Sequence, residues 1–203
     1  TVGEAEAVAN AIRMAGVEGG VGFNYRWAPM VQYAARLVAD GHLGTITHYR
    51  SRFFSMYGSD PMSQLSWRFE KEAAGLGVLG DLMPHVADMA RFLLGPIVRV
   101  AATVETHIPA RPLPVPGRGT HFSRGQAGDV TGPVTNEDDA TVLVVFASGV
   151  RGVLDVSRVI FGPKCEFGFE VYGTRGALRW NFERMNELEV YLPDAEGDPA
   201  RVA

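Results

Sequence analysis

From Ile97 to Leu192 the sequence is a succession of short runs rich in β-branched and aromatic residues, and this constrains the fold more than any other feature. The runs are 97–107, 139–147, 150–160, 165–172, 176–183 and 187–192. Ser148-Gly149, Gly162-Pro163 and Gly173 separate most of them with turn chemistry. Strands joined by such short turns lie antiparallel, because parallel neighbours need a long crossover. The pattern therefore predicts an antiparallel meander. One face of such a sheet must be covered, and the segments before Ile97 can supply the cover. The predicted fold class is α+β, a large open, mostly antiparallel sheet with helices packed on one face.

Those earlier segments read as helices and two strands. Thr1 and Glu4 form a capping box ahead of Ala5, Val8, Ala9 and Ile12, and Gly16 ends the helix. Val17 to Tyr25 reads as a strand interrupted by glycines 19, 20 and 22. Pro29 opens a second helix with a buried stripe of Val31, Ala34, Ala35 and Val38, stopped at Gly41. Residues 45–57 alternate as a half-buried strand, and a further helix runs through Leu94 to Gly95-Pro96. The long connection at 108–138, with Pro109, Pro112, Pro114 and Pro116, reads as a lid, an interface arm or a disordered segment.

Composition removes several function classes. A formal net charge of −4 gives no basic field for nucleic acid. No apolar run is long enough to span a bilayer, no signal-peptide order begins the chain, and a cytoplasmic location is expected. Cys165, the single cysteine, excludes an internal disulfide framework and reads as an inert buried thiol. His42, His48, His107 and His121 lack metal-ligand spacing, so no metal site is expected. The chain begins at Thr1 inside a helix-like segment, and no Gly-x-Gly-x-x-Gly stands between a strand and a helix. Both observations point to a fragment.

The segment GVLGDLMPHVADMARFLLG (77–95) carries the candidate chemistry. Pro84 is tolerated only in a first helical turn, which puts Asp81 at or just before the cap and His85 in that turn. A helix N-terminus lowers the pKa of a histidine and a carboxylate raises it, so the imidazole is poised for proton exchange with a hydroxyl. Spacing alone leaves open the alternative of an Asp cap beside a partly buried histidine. Asp88 reads as solvated or paired with Arg91. Trp67 and Arg68 read either as a platform for a sugar's apolar face and hydroxyls or as a core Trp with a surface Arg. Asn24 lies where a connection lines a cleft, or else simply caps a helix. Glu137, Asp138 and Asp139 read as a solvated entrance to a strand.

Taken in order, VGFNYRWAP (21–29), GHLGTITHYR (41–50), LSWRFEKEAAGLGVLGDLMPHVADMARFLLG (65–95), NEDDATVLVVFASGVRGVLDVSR (136–158) and FEVYGTRGALRWNFERMNEL (169–188) resemble the Gfo/Idh/MocA oxidoreductases over essentially the whole chain. The resemblance implies a Rossmann domain followed by an α+β domain whose sheet mediates dimer or tetramer contacts. It divides the chain into residues 1–26, a helix and strand from the end of the Rossmann domain, and residues 27–203, a substrate and oligomerisation domain truncated at its C-terminus. It implies NAD or NADP as cofactor, a sugar, inositol or related polyol as substrate, and a homodimer or homotetramer. By the same resemblance His85 is the general acid/base, Asp81 holds substrate and orients the imidazole, Trp67 and Arg68 flank the substrate, and Asn24 lies near the nicotinamide. The family's Glu-Lys-Pro lysine is absent, since neither Lys71 nor Lys164 matches its place, and Met83 stands where glycine is frequent. The chain alone is then expected to be inactive. Alternatives are a non-enzymatic sugar-binding or assembly module lacking a Rossmann domain, or a subunit that binds a partner's Rossmann domain.

Overall fold

The structure is a computed structural model that describes residues 1–114 and 123–193. Its helices are α1 (Val2–Ala15), α2 (Pro29–Ala39), the single turns α3 (Lys71–Ala74) and α4 (Val78–Asp81), and α5 (Met83–Leu94). Its strands are β1 (Ile46–Ser55), β2 (Ile97–Glu105), β3 (Ala110–Pro112), β4 (Thr131–Pro133), β5 (Asp139–Phe146), β6 (Arg151–Ser157), β7 (Cys165–Gly173), β8 (Ala177–Asn181) and β9 (Leu188–Tyr191).

Seven strands form one sheet in the order β2-β5-β6-β1-β7-β8-β9. Six of them lie in the runs identified after Ile97. The simple meander does not hold, because β1 is inserted between β6 and β7. It pairs parallel with β6 and antiparallel with β7, so that Arg50 faces Val153 on one side and Glu170 on the other. The sheet is mixed but mostly antiparallel, as its remaining ladders are antiparallel.

Strand alternation sends Tyr49, Phe53, Val142, Val144, Phe146, Leu154, Phe167, Phe169, Leu178 and Trp180 to one face, where all are buried. Helices α2 and α5 close that face. Their 3.6-residue period brings Val31, Ala34 and Leu37, and Met83, Val86, Met89, Ala90 and Leu93, into the same core. Trp180 is buried there with its indole N–H donated to the Met185 carbonyl at 3.0 Å. The opposite face is open and charged: Arg52 bridges Glu166 and Glu170, and Arg179 pairs with Glu189.

Residues 17–23 lie outside the sheet and are not a strand. Short bonds from Phe23 N to the Val21 carbonyl and from Asn24 N to the Gly22 carbonyl fold the backbone on itself, and a 3-10 turn follows at Asn24–Trp27. Helix α1 has the expected capping box but buries none of its residues. The connection after β2 is tied down where it is described. β3 pairs with β4, and the fully buried Arg111 donates to the Asp60 and Gly58 carbonyls. His121 and Pro116 lie outside the described residues. No helix among the described residues is long and apolar enough to cross a membrane.

Candidate active site

Three segments converge at the N-terminal end of α5. Pro84 occupies the first turn of α5, as its missing N–H requires. Asp81 closes the preceding turn α4, so His85 sits one helical turn beyond it. A second 3-10 turn, Trp67–Phe69, brings Trp67 and Arg68 alongside.

The Asp81 Oδ2 accepts two hydrogen bonds, from Arg68 Nη1 at 3.1 Å and from the Tyr57 hydroxyl at 3.1 Å. The Arg68 guanidinium also lies over the Trp67 ring, 4.7 Å from its centroid, and Trp67 is 53% exposed. Burial, reinforced by the Asp81 charge, pushes the Tyr57 hydroxyl up to about 12, so it remains a donor. Tyr57, Trp67, Arg68, Gly77, Gly80 and Asp81 line a depression of about 100 Å³, with Arg158 at its base.

His85 lies beside this depression in an aromatic box. Phe23, Tyr25 and Phe53 meet its ring edge-on at centroid distances of 5.6, 5.3 and 6.0 Å. Its Nδ1 is buried without a partner. Burial lowers the imidazole pKa, and the charges of Asp81 and Asp88 offset this only in part. The ring is therefore neutral at neutral pH. Among the described residues no hydrogen bond joins Asp81 to His85, and the carboxylate acts on the imidazole through space.

Of the residues singled out from sequence, Trp67, Arg68 and Asp81 thus meet directly, with His85 adjoining. Asn24 is exposed at the start of the turn that carries Tyr25 against His85, and no described side-chain contact links it to the others. Tyr57 was missed, because nothing in a loop after a strand marks a tyrosine as a carboxylate's partner. Two readings need correction. Asp88 is neither solvated nor paired with Arg91; it takes a two-pronged ion pair from Arg26. Asp138 is not solvated; it is fully buried against Arg158, which is 1% exposed. Residues 75–80 spell Gly-x-Gly-x-x-Gly, but they run from the end of α3 into α4, and the phosphate-binding form requires a preceding strand. Among the described residues no group of three or more His, Cys, Asp or Glu could hold a metal ion.

The sequence from 31 to 179 matches the model of the GFO/IDH/MocA C-terminal domain. The chain belongs to the Gfo/Idh/MocA family. Levoglucosan dehydrogenase of Pseudarthrobacter phenanthrenivorans is 37% identical over 96% of the chain and 50% of that protein. D-apiose dehydrogenase of Paraburkholderia graminis is 30% identical over 93% of the chain and 44% of that protein. A solved levoglucosan dehydrogenase in complex with NADH and L-sorbose superposes with a TM-score of 0.86 at 34% identity, over 98% of this chain and 50% of that one. This Gfo/Idh/MocA chain therefore spans about half the length of the relatives it matches.

Proposed function

We propose that this chain is the substrate-side part of an NAD(P)-dependent oxidoreductase that acts on a hydroxyl of a sugar, inositol or related polyol. The observation that carries the reading is a carboxylate held by Arg68 and Tyr57 one helical turn from a half-buried, neutral imidazole, with an exposed indole beside them. Residues 1–26 belong with a nucleotide-binding domain and residues 27–203 form the substrate and oligomerisation domain. The open charged face of the sheet is the surface offered to a second copy.

The geometry supports proton exchange at His85. A neutral imidazole can take the hydroxyl proton as the carbon–hydrogen bond is broken, and return it in the reverse direction. Because Nδ1 is buried, Nε2 is the ring nitrogen left for that exchange. The Asp81 charge stabilises the imidazolium that forms. Arg68 and Tyr57 hold the carboxylate in place, and Trp67 offers an apolar ring to one face of the sugar.

The nicotinamide dinucleotide, when bound, supplies the hydride acceptor. The fit of this chain to it is limited to one edge. Among the described residues no glycine turn stands between a strand and a helix to hold the pyrophosphate, and Asn24, exposed beside the His85 box, is the residue proposed to meet the nicotinamide end. The chain by itself is therefore catalytically silent. The test supplies the complete polypeptide with NAD or NADP and a panel of levoglucosan, L-sorbose, D-apiose and myo-inositol. His85→Ala is expected to lower kcat by at least about 100-fold. Undiminished turnover would remove the proton-transfer role.

A further inference from the structure

Thr135, Asn136, Glu137 and Asp138 form one connecting segment, bent at Asn136 and Asp138, that touches both turns that carry the site. Thr135 holds the first turn at its end: its N–H donates to the Phe69 carbonyl at 2.9 Å and its Oγ1 accepts from Lys71 N at 2.7 Å. Asn136 Nδ2 donates to the Arg68 carbonyl at 3.0 Å, and the same carbonyl accepts from Arg158 Nη1 at 3.0 Å. Glu137 holds the second turn. Its carbonyl accepts from Val78 N at 3.2 Å and its Oε1 from Leu79 N at 3.0 Å, two of the free N–H groups that open the turn ending at Asp81. The two backbones meet so closely that a Cβ on Gly77 would lie 2.1 Å from the Glu137 carbonyl oxygen. Asp138 anchors the segment from beneath: its Oδ1 accepts from Arg158 Nε at 2.8 Å, and its Oδ2 accepts from the N–H groups of His107 and Ile108.

We propose that residues 135–138 are a brace that sets the distance between Arg68 and Asp81, with Glu137 as the positioning residue. Glu137 touches neither side chain of that pair. It fixes the start of a four-residue turn whose last residue is Asp81, while its neighbour Asn136 fixes the carbonyl of Arg68. Too short to hold itself by internal hydrogen bonds, the turn depends on an outside cap. The consequence for binding rests on the proposed function; the mechanical claim does not.

The experiment compares Glu137→Ala, Glu137→Gln and Thr135→Val in the complete polypeptide by two measurements. The first is KM and kcat with whichever of levoglucosan, L-sorbose or myo-inositol is turned over. The second is hydrogen exchange of segments 66–71 and 78–82. Glu137→Ala is expected to raise KM about fivefold with a smaller change in kcat and to speed exchange at 78–82. Glu137→Gln, which keeps an acceptor oxygen, stays within about twofold of the parent protein. Thr135→Val speeds exchange at 69–71 and leaves 78–82 protected. Equal acceleration of both segments in either variant would show general loosening and overturn the brace, as would unchanged exchange at 78–82 in Glu137→Ala or an unchanged KM where a sugar is turned over. Should the parent protein turn over none of the sugars, the proposed function falls and exchange alone decides the brace.

Discussion

Arg68 meets the Asp81 carboxylate at 3.1 Å although both side chains remain about a third exposed, 34% and 39%. Water screens such a pair, so it contributes only about 0–1 kcal/mol to folding. Its value lies in the geometry it gives to a ligand. Arg68→Ala is expected to leave the urea unfolding midpoint almost unchanged while lowering kcat/KM by about 10- to 100-fold. Arg68→Lys restores little, because an ammonium cannot lie flat over Trp67 and reach Asp81 together. A large loss of stability with unaltered kinetics would contradict this account.

The histidines at 85 and 107 are displaced in opposite directions from the usual 6.5. Burial lowers His85, whereas hydrogen bonding to Asp139 raises the largely exposed His107. NMR titration of the two rings should give one midpoint below 6.5 and one above. The signs for stability differ accordingly. His85 is protonated first in the unfolded chain, so stability falls as pH drops from the unfolded value through the lowered one. The contribution of His107 is complete below the unfolded value and disappears as pH rises through the raised one. His107→Gln should remove the upper effect alone.

Arg158 and Asp138 are 1% and 0% exposed. Removing one partner leaves a buried charge uncompensated, so Asp138→Ala is expected to cost about 3–5 kcal/mol in chemical denaturation. The loss also strips the acceptor from His107 N and Ile108 N. Pairing it with Arg158→Met should recover part of the cost, because the guanidinium that Asp138 neutralised is then also gone.

Tyr25 packs edge-on against Phe53, His85, Phe167 and Phe182, yet its hydroxyl has only the Cys165 sulfur, 4.0 Å away, among the described residues. The ring does the packing. Tyr25→Phe should change stability by less than about 0.5 kcal/mol, because a contact this long is at most a weak hydrogen bond. Tyr25→Ala should cost about 3 kcal/mol and admit water to the box. The His85 midpoint should then rise towards 6.5, read by the same NMR titration.

All seven strands of the sheet, β1 included, were legible as strands because their alternation and turn residues are local signals. The insertion of β1 was not, since a parallel partner such as Arg151 for His48 leaves no trace near residue 48. The same blindness affected charge. Asp138 looked like part of a solvated acidic run because Arg158, its partner, stands at the far end of another strand. Asp88 has Arg91 three residues away in sequence but meets Arg26, 62 residues away. Residues 17–23 misled in a different way: their apolar residues suggested a strand, but the interspersed glycines let the backbone turn locally instead. At the site, Asp81 and His85 were visible through the position of Pro84, whereas Tyr57 had no such marker.

The insertion of β1 also governs the order in which the molecule can be assembled. Strand β1 is synthesised before its two neighbours, β6 and β7, which lie about a hundred residues further on, as the register of Arg50 with Val153 and Glu170 shows. Until Ser157 has left the ribosome both flanks of the innermost strand are bare, and the β7 flank stays bare until Gly173 follows. Such long-range closure makes a domain slow to fold compared with one built of neighbouring hairpins. During that interval ITHYRSRFFS is open to pairing with another copy of itself.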